Sequence, residues 1–195
     1  MSAFSEVSLL LVNTLGSLFL LIVVLRFLLQ LVRADFYNPL SQFIVKATNP
    51  LLLPLRRFIP GFGGMDIAAL VLAFVVQWVL LLLLLALQNV PLIFDLTLIW
   101  ALVGVFSLLL NIYFWGLIIT VIASWLAPNS YNPALILIGQ ILEPVMRPIR
   151  SRMPDMGGLD LSPIVLFLLI KVVEILFLYP LAQMANLPRG LIVGI

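Results

Sequence analysis

IAALVLAFVVQWVLLLLLLALQ, residues 67–88, carries no charge anywhere, has one polar residue, Gln77, before the closing Gln88, and contains an unbroken leucine tract from Leu80 to Leu85. A helix over this run is about 33 Å long, enough to cross the roughly 30 Å hydrocarbon core of a bilayer. Outward from it the same pattern recurs three times. An apolar stretch from about Val7 to Val32 is broken by Asn13, Thr14, Ser17, Arg26 and Gln30; Glu6 is the only charge before it, so it lacks a basic leader and reads as a retained helix. Further runs extend over 96–126, with Trp100 and Trp115, and over 161–184. Four spans are expected.

Composition agrees. Apolar residues make up 64% and charged residues 9% of the 195 positions, against about half and about a quarter in soluble domains. Cysteine and histidine are both absent, which removes disulfides, thiol redox chemistry and most metal and nucleophile–base sets. No catalytic residue, metal ligand or cofactor is therefore assigned, and the net charge of +2 with no long basic run gives no nucleic-acid surface.

The cations collect in two connecting loops. Arg33, Lys46, Arg56 and Arg57 lie between spans one and two, Arg147, Arg150 and Arg152 between spans three and four, and the opposite side holds only Arg189. Cationic segments resist translocation, so both loops are expected in the cytoplasm, with both termini and the 89–95 connection on the periplasmic side of a bacterial inner membrane.

The chain repeats itself. At an offset of 94 residues, Tyr37, Asn38 and Pro39 fall on Tyr131, Asn132 and Pro133; Pro50, Pro54, Arg56 and Pro60 fall on Pro144, Pro148, Arg150 and Pro154; Gly63, Gly64 and Asp66 fall on Gly157, Gly158 and Asp160. Membrane composition aligns leucines, but not this series of prolines, glycines, arginine and aspartate. Residues 1–92 and 93–195 form the two repeats. Each contains two spans, so both enter the membrane in one direction and can pack about an axis along its normal. The expected fold is an all-α membrane protein: four transmembrane helices in two parallel-orientation repeats, each with a short interfacial helix in its basic loop.

Within each loop, Asn38 and Pro39, like Asn132 and Pro133, suit the N-cap and first position of a helix. The mostly apolar segments 40–47 and 134–142 are too short to span and suit the membrane interface, with prolines dividing the remainder of each loop. Asp66 and Asp160 come after glycine pairs and precede spans two and four, where a carboxylate accepts N-terminal amides. GFGG and MGG are not preceded by a strand, which favours a structural over a phosphate-binding reading.

TNPLLLPLRRFIPGFGGMD, residues 48–66, and LEPVMRPIRSRMPDMGGLDLSPIV, residues 142–165, resemble the YggT family of bacterial and plastid membrane proteins across both halves. The first half departs from the pattern, with Asp66, Ile67, Ala68 and Ala69 in place of Asp-Leu-Ser-Pro. The resemblance implies a small multi-span protein linked to organisation near the division machinery, to osmotic or ionic stress tolerance or, in plastid relatives, to haem attachment during cytochrome b6 assembly. It transfers no catalytic residue.

Several polar residues stand inside the spans. Lys171 and Glu174 are three apart on one helix face and can pair. Lys171 matches Gln77 in the repeat, and Arg26 and Gln30 match Thr120 and Ser124, which predicts a polar interior shared by both halves; alternatively Arg26 snorkels to the surface. Asn13 and Ser17 match Ser107 and Asn111, each pair on one helix face and suited to interhelical hydrogen bonds. The loop arginines either contact anionic headgroups or only enforce orientation.

Two functional readings lead. The first is a non-catalytic assembly or organising protein that binds membrane-protein partners through its helices and anionic lipid or protein through its loops, a homo-oligomer being one form it can take. The second is a small transporter or channel in which Arg26, Lys171 and Glu174 line a route for ions or solutes. An enzyme ranks third, since Asp66, Asp160 and Glu174 already have capping or pairing roles.

Overall fold

In a computed structural model, residues 3–91, 93–126, 130–153, 160–188 and 192 are described. Four helices are long and apolar enough to cross a membrane: α1 (Ala3–Leu31), α3 (Ile67–Leu87), α4 (Phe94–Leu126) and α6 (Ser162–Met184). The loops contain α2 (Pro39–Phe58) and α5 (Pro133–Arg150). Among the described residues there is no strand, only an isolated bridge between Phe62 and Met65. The chain is a multi-pass membrane protein. Even its shortest span, at 21 residues, reaches about 32 Å.

Local chemistry sets the ends of these helices. Asn38 and Asn132 are extended N-caps whose side chains accept from the amides of Leu40 and Ala134, with Pro39 and Pro133 in the first turn. At the far end of α1, Arg33 adopts a left-handed conformation (φ 54°), while Ala34 N–H donates to Leu29 O at 2.8 Å and Arg33 N–H to Gln30 O at 3.2 Å. That is a Schellman ending. Asn89 and Asn186 close α3 and α6 in the same way.

The loop helices correct one expectation. Both run further than the short apolar segments, because Pro50 and Pro54 lie inside α2 and Pro144 and Pro148 inside α5 rather than dividing the loop. Each proline removes one backbone bond, but a buried stripe of Ser41, Ile44, Thr48 and Leu52 pins α2 on both sides of Pro50, and all four prolines are on exposed faces.

The two halves do not form a closed two-fold pair. Helix α1 packs on α3 and α4 on α6, as the repeat requires; across the halves α3 packs on α4, whereas α6 makes no return contact with α1. The largest core cluster joins α1, α2 and α3 to α5 through Leu137 and Ile141. Residues 43 and 47, which match them in the repeat, are Phe43, exposed, and Ala47, half-buried. One half is thus wrapped by the other without wrapping it back.

Candidate functional site

The loop end of the bundle is one continuous structure. Asn38 Nδ2 donates to Pro133 O at 2.8 Å and Asp35 N–H to Gln140 Oε1 at 3.1 Å, so α2 meets the N-terminal half of α5. Beside this joint α2 leaves Phe43, Leu51 and Phe58 exposed together with Lys46 and Arg57, while Arg147 and Arg152 are exposed at the end of α5. An amphipathic helix with an apolar and a cationic face is the form that lies in a headgroup layer.

Beneath α2 lies a polar cluster. Arg56 Nη2 donates to Gln30 Oε1 at 2.7 Å and pairs with the Oδ2 of Asp66, whose Oδ1 caps α3 by accepting from Ala69 N–H at 3.3 Å. The carboxylate is 3% exposed and the guanidinium 31%. Asp66 is presented by a tight turn in which Phe62 and Met65 exchange backbone bonds and Gly63 and Gly64 both have positive φ (61° and 83°). Two successive left-handed residues give a type I′ turn, and glycine adopts them without steric penalty.

The second half repeats this design in looser form. Arg150 Nε donates to Asp160 Oδ2 at 3.0 Å, and its Nη1 lies 3.5 Å from Glu143 Oε2; Arg150 and Asp160 are 48% and 41% exposed. Ala69 is replaced by Pro163, which has no N–H, and Asp160 instead accepts from Ser162 N–H at 2.9 Å. Desolvation pushes the Asp160 carboxyl up, but hydrogen bonds from Ser162 and Arg150 outweigh it and hold it below the usual carboxylate range. Pro154, Gly157, Gly158 and Arg189 lie outside the described residues.

Comparison with known proteins decides the lineage. The family profile described as CCB3/YggT matches residues 5–87 and 99–181, one match in each half. The chain belongs to the CCB3/YggT family. It is similar to uncharacterized protein PA0392 of Pseudomonas aeruginosa, at 54% identity over 182 residues and 92% of each chain. A Vibrio alginolyticus protein named for the proC 3' region is 42% identical over 81% of this chain and 86% of its own length. Uncharacterized protein YggT of Escherichia coli K12 is 37% identical over 84% and 85%. No solved structure matches.

In this YggT-family chain the polar residues of the spans do not gather in one interior. Gln77 is buried at a close crossing, where a Cβ on Gly104 of α4 would stand 2.7 Å from its Nε2. Its counterpart Lys171 is 40% exposed, paired with the buried Glu174 at 2.7 Å, and sits 4.5 Å over the Phe114 ring. Arg26 is buried and does not reach the surface, whereas Ser124, the match of Gln30, is exposed. Arg26 and the Lys171–Glu174 pair stand on helices α1 and α6, which make no direct contact with each other. Ser17 Oγ donates to Asn13 Oδ1 at 3.3 Å and Asn111 Nδ2 to Ser107 O at 3.0 Å, bonds that run along their own helices.

Sequence reasoning missed the arginine–aspartate pairs. It left the arginines to headgroup contact or to enforcing orientation and the aspartates to caps, yet both pairs share one ten-residue spacing at matching repeat positions, a signal that was legible. The π-helical turn Glu174–Leu178 was also unforeseen. It precedes Pro180, whose ring and missing N–H disturb the turn before it. Among the described residues no cluster of three or more His, Cys, Asp or Glu exists to hold a metal.

Proposed function

We propose that the protein is a non-catalytic component of a bacterial inner membrane that assists assembly or organisation of membrane protein complexes. Its two loops face the cytoplasm and its termini the periplasm. Residues 1–92 and 93–195 act as two repeats that jointly present α2 and α5 as a docking platform for anionic lipid and for partner membrane proteins, a second copy of this chain among them. The observation that supports this is the joint at Asn38 and Pro133, which makes one surface of two basic loops. The family likeness points the same way, toward division-associated or cytochrome-assembly roles.

Because Arg56 and Arg150 are engaged by aspartates, the test belongs on the exposed cations. Tagged protein crosslinked in its native membrane and purified gently is expected to retain defined partners and anionic lipid, and to lose them when Lys46, Arg57, Arg147 and Arg152 are replaced by glutamate. Full retention in that variant refutes the platform.

A second reading is a small transporter acting as an oligomer. It is favoured by a buried ionisable residue, Glu174, at the start of a π-turn inside a span, because both features concentrate at functional positions. Liposomes would then show an ion flux that Glu174→Gln alters, and absence of flux counts against it.

A further inference from the structure

Arg26 lies five residues before the end of α1, at about 8 Å along the helix from the loops. Its side chain is 6% exposed, and neither Nε nor Nη1 has a hydrogen-bond partner. The ring of Phe36, in the reversal between α1 and α2, stacks over the guanidinium with its centroid 5.5 Å away. Its charged neighbours include Arg56, which repels it, and Asp66, which attracts it without forming an ion pair with it.

Asp66 is already committed, one oxygen to Arg56 and the other to the cap of α3. Gln30, one helical turn beyond Arg26, binds Arg56, so two guanidinium groups share this end of α1 with one carboxylate, which only Arg56 engages, and leave an excess of one positive charge. A trapped water would satisfy the idle N–H groups but not the charge, and an unpaired cation in a low-dielectric site is strongly unfavourable. An oxyanion answers both demands, since the planar fork of arginine matches two oxygens of a phosphate. The second half lacks the feature: Thr120 replaces Arg26, and Arg150 faces two carboxylates, Asp160 and Glu143.

We propose that the Arg26–Arg56–Asp66 junction of the first repeat binds one phosphate-type oxyanion, presented by an anionic phospholipid headgroup or by free phosphate. Phe36, half-exposed at the outer side, covers the site. The proposal rests on reading this end of the bundle as the headgroup-facing end, but it does not require α2 and α5 to dock a protein.

Full-length protein in nanodiscs of phosphatidylcholine, with or without phosphatidylglycerol, tests it by lipid retention and thermal unfolding; inorganic phosphate is titrated separately. Wild type is expected to retain phosphatidylglycerol selectively. Arg26→Gln is expected to weaken retention about fivefold, the loss of one cation's attraction, whereas Arg33→Gln, an exposed cation outside α2 and α5, spares it. Stabilisation by inorganic phosphate alone, again lost in Arg26→Gln, identifies free phosphate as the source. Equal anion response in wild type and Arg26→Gln overturns the site. Should Arg26→Gln not fold, solid-state NMR of wild type decides: a ¹⁵Nε–³¹P contact that Arg26→Lys removes is expected, and its absence overturns the proposal. Partner crosslinking in Arg26→Gln is expected to be unchanged, which separates this site from the platform.

Discussion

Arg56–Asp66 and Arg150–Asp160 occupy matching positions of one repeat, yet the first carboxylate is 3% exposed and the second 41%. Both pairs tie the end of a loop helix to the start of the next span. Only the first is enclosed: α1 brings Gln30 against it, with the buried Arg26 one turn before, while α4 offers Thr120 and Ser124 at the matching places. Identical residue pairs therefore serve as a buried strut in one half and a solvent-screened clasp in the other. The lesson is that duplication preserves the bond and not its energy.

The largest expected effect is on the buried pair. Asp66→Ala should destabilise the protein by about 3 kcal/mol, because it leaves Arg56 without its counter-charge and α3 without its cap. Denaturant unfolding in detergent measures it, and a loss no greater than that of Asp160→Ala would erase the contrast between the halves. Next in size is Gly64→Ala, which forces a Cβ into left-handed backbone beside Asp66 and should cost roughly 1–2 kcal/mol in the same assay.

Asp160→Ala ranks third at no more than about 1 kcal/mol, since exposed pairs are screened. Its pH dependence sharpens the comparison. The Asp160 carboxyl is depressed in the folded state, so its contribution is fully present above the ordinary unfolded value of about 4 and fades as pH falls through the lower folded value. The stability gap between wild type and Asp160→Asn should accordingly close at acid pH; a gap independent of pH would mean that the carboxylate's charge is not what holds the clasp.

Smallest is Pro163→Ala, which restores the amide that Ala69 offers in the first half. Stability should fall by about 0.5 kcal/mol through the freer unfolded chain. Hydrogen exchange at residue 163 shows whether Asp160 then caps as Asp66 does.

Much of this was legible beforehand. The spans come from runs of apolar residues longer than a bilayer core, and the Asn-Pro starts of α2 and α5 from capping chemistry, both local properties. Lys171 and Glu174 pair as their spacing requires. The features that escaped depend on distant neighbours or on how a helix absorbs strain: the passage of α2 and α5 through their prolines, held by a buried stripe, and the enclosure of Arg26, whose long side chain reads equally well as snorkelling.

By itself the sequence determined four spanning helices, two parallel repeats, the caps at Asn38, Asp66 and Asn132, and family membership in CCB3/YggT, because hydropathy, helix periodicity and turn chemistry act over a few residues. Only the tertiary structure decided that α3 packs on α4 while α6 does not return to α1, that the two loops join at Asn38 and Pro133, and that one of two equal ion pairs is buried. Burial is a property of the faces that several helices bring together, and two repeats with the same local code can meet those faces differently.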